Sequence, residues 1–494
     1  MLATLPVELL DLVIEKISSR GDLKKLCEVC KYLYDVTIPH LYQSLLLPAP
    51  ELSLEHLSAR LEATPRRLLK YTQEFGFSVP IHERVKSRCV HHNDDGLHDM
   101  LAESLTTDGN WDKNTDEDTD DDTEKDRNEG FDNSVKECLK AHGHQIQSLT
   151  LDLLTWARAE EIWANGHSKL DPHHAGIPDN FFSRTVLDIH PADKKVVFRS
   201  LERLHLSAVS FYYTGVEMVH AFNIDHLKAL KLRNCPGSLD WLRTIINSGK
   251  SMELESLELA LDVDSLQRDA YMHLTETMSK FIQRVSGLES LYLMLPTPID
   301  WTVLADRISY FHHIKRFVIH HLVDRGGQKL IDGDIPWSFH LQQILQKPRL
   351  TCFGCSMGPR ELSSHFQKMQ PRPSCKLVHI RLSGVVLERL ASAGQSSWSS
   401  TSLYVCNYGD DFPYKPEEIY DFAQWAFSCD GLPNLQVLAC GDFSYKGRYS
   451  KFNLLLCKSD NGYQTLTPSN VSSWDLVQDN MDMLAACPLD DILE

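Results

Sequence analysis

The sequence predicts an α/β chain in which a short helical unit at the amino end precedes an irregular solenoid built on a curved parallel sheet. Three observations predict it. Residues 5–42 are too apolar to enclose themselves, the pattern L-x-x-L-x-L returns nine times from residue 146 onward, and apolar residues at helical spacing separate several copies.

In the opening unit, Pro6 suits a first helical turn, and Glu8, Asp11 and Glu15 leave only a narrow wet stripe beside Leu5, Leu9, Leu10, Val13, Ile14 and Ile17. Asp22 is placed to cap a second helix with Leu23, Leu26, Cys30 and Leu33 on one face and Val29 beside them. Pro39 ends that helix and permits a third turn through Leu41 and Tyr42. Three short helices bury too little surface to cover so many aliphatic side chains. The surplus predicts an interface with another protein.

The recurring copies begin at Ile146, Leu201, Leu227, Leu254, Leu288, Ile314, Leu350, Leu377 and Leu435. Several steps are 26 or 27 residues, a leucine-rich-repeat period; steps of 34 and 36 need insertions, and those of 55 and 58 a degenerate intervening copy. Thr72, Phe75 and Phe77 offer an opening copy. Residues 237–248 and 271–285 have the spacing of outer helices. A doubly wound domain would show the same strand and helix alternation, but fixed self-similarity favours a solenoid. Because strand side chains alternate, the third, fifth and seventh positions of each copy face the concave surface. Those positions hold five basic residues, Arg203, Lys231, Arg233, Arg316 and Arg381, against two acidic ones, Asp152 and Glu258. Such a face suits an acidic or phosphorylated target segment.

The chain has 494 residues and a net charge of −18, of which residues 112–132 contribute −8. We read 107–133 as a solvated, disordered acidic insertion. An EF-hand register through Asp118, Asp120, Asp122 and Glu129 lacks its turn glycine, with Thr123 in that place. The acidic balance argues against nucleic acid. No leader pattern and no apolar run near 18 residues stand in the chain, so a cytoplasmic or nuclear protein off the membrane is expected. Thirteen scattered cysteines fit reduced thiols. Cys27 and Cys30 read as buried thiols of the second helix, and Cys352 and Cys355 lack the second pair that a zinc ribbon needs. Cys89, His91, His92 and His98, like the paired histidines elsewhere, match no metalloenzyme spacing, and no nucleophile elbow or P-loop is present. No cofactor, no metal and no catalytic residues are expected. Ser473 is placed to cap a last helix carrying Trp474, Val477, Met481 and Leu484, which Pro488 stops, in a tail that covers the end of the solenoid.

The order Leu5-Pro6-x-Glu8-Leu9-Leu10, then Asp22-Leu23-x-x-Leu26, Val29-Cys30-Lys31 and Pro39-x-Leu41-Tyr42 resembles the F-box in the form common among fungal F-box proteins. The resemblance covers about a tenth of the chain. It implies docking onto the Skp-type adaptor of a cullin-RING ubiquitin ligase through Leu5, Pro6, Leu9, Leu10, Val13, Ile17, Leu23, Leu26, Val29, Cys30, Pro39, Leu41 and Tyr42. With the repeats it implies a non-catalytic substrate receptor. The domains then run 1–47, 48–445 and a capping tail 446–494. The alternative is a scaffold that binds the adaptor without delivering ubiquitin.

Overall fold

Apolar spacing at the amino end folds as three helices: α1 (Val7–Glu15), α2 (Arg20–Val29) and α3 (Lys31–Gln43). The structure is a computed structural model that describes residues 5–17, 19–48, 64, 66–78, 139–152, 196–207, 209, 211, 215–261, 273–296, 299–321, 339–381, 416–444, 453–460 and 462–488. The acidic stretch 107–133, the cluster at 89–98 and residues 489–494 lie outside them.

Pro6 starts α1, its carbonyl accepting from the Leu9 and Leu10 amides at 3.1 and 3.0 Å. Two details differ from expectation. The cap of α2 is Ser19, whose hydroxyl accepts from Asp22 N at 3.3 Å; Asp22 lies in the first turn, because a capping oxygen must precede the helix to reach that amide. Cys30 is extended, at φ −162° and ψ 164°, so α2 stops at Val29 and Leu33 belongs to α3, which continues through Pro39. Being the connector, Cys30 is exposed rather than buried. Leu10, Ile14, Leu23 and Leu33 form a small core of their own, with Leu5, Ile17, Val36 and Leu41 at its margin. His40 Nε2 lies 2.6 Å from Asp11 Oδ1 and ties α3 to α1.

Helix α3 passes directly into β1 (Ser44–Pro48), so helix gives way to sheet between Gln43 and Ser44. The next strands are β2 (Glu74–Ser78), β3 (Ser148–Asp152), β4 (Arg203–Ser207), β5 (Ala229–Arg233), β6 (Met252–Glu253), β7 (Ser256–Ala260), β8 (Val285–Ser286) and β9 (Ser290–Leu295). They continue as β10 (Arg316–His321), β11 (Cys352–Cys355), β12 (Leu377–Ile380), β13 (Val437–Cys440), β14 (Leu454–Ser459) and β15 (Gly462–Thr465). Except for the β6–β8 pair, all join one 13-stranded sheet in chain order. It is parallel through β13 and closes with the antiparallel β14 and β15. Among the described strands the order never reverses, whereas a doubly wound sheet has a reversal point.

One register row crosses the sheet through Glu74, Ser148, Arg203, Ala229, Ser256, Ser290, Arg316, Cys352, Leu377 and Val437. It corrects one copy. Leu377 pairs with Cys352 and so occupies the third position, making Cys375, Val378 and Ile380 the helix-facing set in place of Leu377, Ile380 and Leu382. The shift is two residues, so His379 and Arg381 keep their face. The first strand went unread because Tyr42 closes the helical motif; yet Tyr42, Leu45 and Leu47 have the same spacing as every later copy.

On one face, the fourth and sixth positions pack against α4 (Gly215–Ala221), α5 (Ser238–Asn247), α6 (Leu274–Gln283), α7 (Trp301–Ser309), α8 (Phe339–Leu345), α9 (Pro359–Lys368) and α10 (Pro416–Ala426). Trp241, Phe281, Phe317, Phe353 and Phe366 are enclosed there. Burial of such aromatics dominates the energetics of a core. Where each strand begins, one carbonyl accepts two amides of the next: Glu202 O takes Lys228 N and Ala229 N at 2.8 and 3.0 Å, and Glu289 O takes Lys315 N and Arg316 N at 2.8 and 3.1 Å. The same step recurs from Gln73 to Lys376 and leaves no strand start unpaired along the way. The molecule is thus a mixed α/β protein with a large parallel sheet and amino-terminal helices.

Candidate interaction surfaces

In α1 Leu10 and Ile14, with Ile17 just beyond its end, turn inward, and a second apolar series, Leu9, Leu12 and Val13, turns outward. Leu9 is 51% exposed, Leu12 58%, Val13 45% and, at the end of α2, Val29 67%. Val7 and Tyr32 add to the wet apolar surface, and Tyr32 OH donates to Leu5 O at 2.9 Å. Of the docking residues expected from sequence, Pro6, Leu9, Val13, Val29 and Cys30 are exposed. Leu5, Ile17, Leu26, Pro39, Leu41 and Tyr42 are half-buried, while Leu10 and Leu23 lie inside the small core and hold the helices together. Leu12, Val7 and Tyr32 are exposed residues that the expectation omits; for Leu12, its place three residues after Leu9 was the available signal.

From β5 to β13, the face of the sheet away from the helices is covered by the chain's own tail. After the β14–β15 hairpin the chain forms α11 (Val471–Gln478) and α12 (Met481–Leu484), then passes through a turn and bends at residues 485–487, with Cys487 at φ 50°, to Pro488. The first helix is preceded by Asn470 rather than capped by Ser473. The tail therefore does two things in place of the expected one: the hairpin closes the sheet's end, and the helices lie over its face. Val477, Met483, Leu484, Ala486 and Cys487 pack on Ala260, Tyr292, Met294, Val318, Cys352, Leu377 and Val437 in a second core. Gly354 makes the hollow for Met483, since a Cβ there would stand 3.1 Å from Met483 Cε.

Three of the five basic residues expected to face a target bind this tail. Arg233 Nη2 donates to Ala485 O at 3.1 Å while its Nε pairs with Glu258 at 2.7 Å. Arg316 Nη1 reaches Asp482 Oδ1 at 3.1 Å, and Tyr292 OH donates to the other oxygen at 2.9 Å. Arg381 donates to Ala486 O at 2.8 Å and to Cys487 O, and pairs with the buried Asp442 at 3.1 Å. Lys231 lies 3.0 Å from Glu258, and Arg203 pairs in the open with Glu74 at 3.1 Å, away from the tail.

Burial alone would raise the Glu258 carboxyl, but Arg233, Lys231 and the Cys487 amide at 2.7 Å hold it down to about 2. Burial likewise works against ionised Asp442, and Arg381 with the Ser444 hydroxyl and amide keeps it below the usual carboxylate range. His379, enclosed on the same face, is pushed down to about 4 by burial and donates from Nε2 to Gly441 O at 3.0 Å.

Strand alternation puts Cys352 and Cys355 on opposite faces of β11, so the pair does not converge. Burial pushes their thiols up to about 11 and 12. Among the described residues no group of three or more His, Cys, Asp or Glu is gathered to hold a metal ion, and no helix is long and apolar enough to cross a membrane. A cleft of about 540 Å³ at the junction of helices and sheet is walled by Asp11, His40, Gln43, Lys70, Gln73 and Gln145. Compared with models of known protein families and with curated proteins, the chain matches none.

Proposed function

We propose that this chain is the substrate-recognition subunit of a Skp-cullin-F-box ubiquitin ligase, with α1 to α3 as the F-box and the strands as an irregular leucine-rich-repeat solenoid. One observation carries the reading: Leu9, Leu12, Val13 and Val29 stand in water on a helical unit whose own core is complete without them. An apolar patch of this kind marks a docking site. The partner it fits is the Skp-type adaptor that the motif order implies. The sheet then holds a target near the charged conjugating enzyme, and ubiquitin transfer gains from proximity, with no reacting residue in this chain.

Covering each exposed aliphatic contributes about 1.5–3 kcal/mol before association costs. Leu9→Lys with Val13→Lys should therefore weaken adaptor binding by about 100-fold or more. Both side chains are exposed, so the fold should survive; Leu10 is unsuitable for this test because a charge there enters the core. A pull-down that retains the adaptor undiminished, on protein with an unchanged melting curve, would overturn the reading.

A second reading, an adaptor-bound scaffold that transfers no ubiquitin, is favoured by the occupied sheet face. Arg233, Arg316 and Arg381 already have partners within the chain. Reconstitution with adaptor, cullin, RING subunit and conjugating enzyme separates the two, since a scaffold leaves its bound partner unmodified.

A further inference from the structure

We propose that the sheet face beneath α11 and α12 is a peptide groove, held in this structure by residues 480–488 of the same chain, and that a target segment of like chemistry displaces them. That chemistry is an acidic residue, one or two hydrophobic residues, then small residues, after Asp482, Met483, Leu484, Ala485, Ala486 and Cys487.

The polar contacts are those of a peptide clamp. Arg233 and Arg381 donate to the carbonyls of residues 485, 486 and 487, and Glu258 accepts the Cys487 amide. All of these read main chain, which any peptide carries. Carboxylate recognition is separate: Arg316 and Tyr292 form a fork around Asp482. Between the two, Met483 drops into the hollow above Gly354.

Buried ion pairs are a poor filling for a permanent core, because desolvation cancels most of their attraction and apolar side chains fill the same space at least as well. Arg233, Lys231, Glu258 and Arg381 on a sheet face make sense where that face is wet for part of the time. Removing the tail would expose Tyr292, Met294, Val318 and Leu377 beside those charges. An apolar strip rimmed by polar groups needs a cover, and the chain supplies one of defined sequence. Outward, the tail stays wet: Val471, Asp475, Asp479 and Met481 are exposed.

The identity of the incoming chain as a ligase target rests on the receptor reading. Opening of the groove does not.

Two measurements test the proposal. In the intact protein, hydrogen exchange at the amides of residues 484–487 should run at least 100-fold faster than at Leu293 and Val378, reporting a tail that opens without global unfolding. Equal rates would overturn it, since the tail would then be part of the global core. Next, a cleavage site placed between the exposed Pro468 and Ser469 lets the folded protein be nicked. A labelled peptide of residues 480–488 should exchange into the nicked protein, and the same peptide with Asp482→Ala should bind at least tenfold more weakly. No exchange, or equal binding of the two peptides, would overturn the groove. Neither measurement involves the adaptor, so loss of adaptor docking would remove the ligase role and leave the groove standing.

Discussion

Glu258 is a carboxylate sealed between β7 and the tail, ionised because Lys231 and Arg233 lie within 3.0 Å. Substitution Glu258→Gln leaves two half-buried cations without their buried countercharge and should destabilise the fold by about 3 kcal/mol, read as a lowered urea midpoint. His379 gives a pH dependence. A histidine held neutral by burial takes its proton first in the unfolded chain, so stability declines as pH falls below 6.5 and keeps declining to about 4, where the folded form also protonates. His379→Asn keeps a donor for Gly441 O and should flatten this part of the acid limb in denaturation curves taken from pH 7 to 4. At this scale the basic character of the face was legible, since Arg203, Lys231, Arg233, Arg316 and Arg381 follow from alternation alone. Their partners were not. Asp482 lies 166 residues from Arg316, and no local pattern links them.

Helix α2 shows what an element owes to its ends. Ser19 satisfies one of the amides left over in its first turn, and Ser19→Ala should cost about 1 kcal/mol, seen as an earlier melt in far-ultraviolet ellipticity. The repeat-spaced strands and the outer helices α5 and α6 were legible because each has its own periodicity. Three features escaped. The first was β1, masked by the helical motif that shares Tyr42; the second was the break at Cys30, where helical spacing continues across an extended residue. The third was the two-residue register of β12, where Cys375, Leu377, Val378 and Ile380 are all apolar because both faces of the sheet are covered. With both faces apolar, parity no longer identifies the first strand residue.

Across the whole molecule the helical unit has a core separate from that of the sheet. No tryptophan lies in residues 5–43, whereas Trp241 sits at the centre of the sheet's helix-packed core. Leu10→Ala should therefore destabilise α1 to α3 by about 2–5 kcal/mol and lower an ellipticity transition while leaving the tryptophan fluorescence midpoint in place. A single shifted transition in both signals would show instead that the two cores unfold as one.

Local spacing by itself determined the amino-terminal helical unit, the outer helices α5 and α6, most of the parallel strands and which of their side chains share a face, because periods of 3.6 and 2 residues are properties of the nearby chain. It also determined that the amino end carries more aliphatic surface than three helices enclose. Only the tertiary structure decided which of those aliphatics stay in water, Leu9 and not Leu10, since that depends on how α1 meets α3. The path of the tail across the sheet was decided there as well. Contacts between residues more than 100 positions apart reward the chain only after everything between them has folded, and they leave no period in the sequence to read.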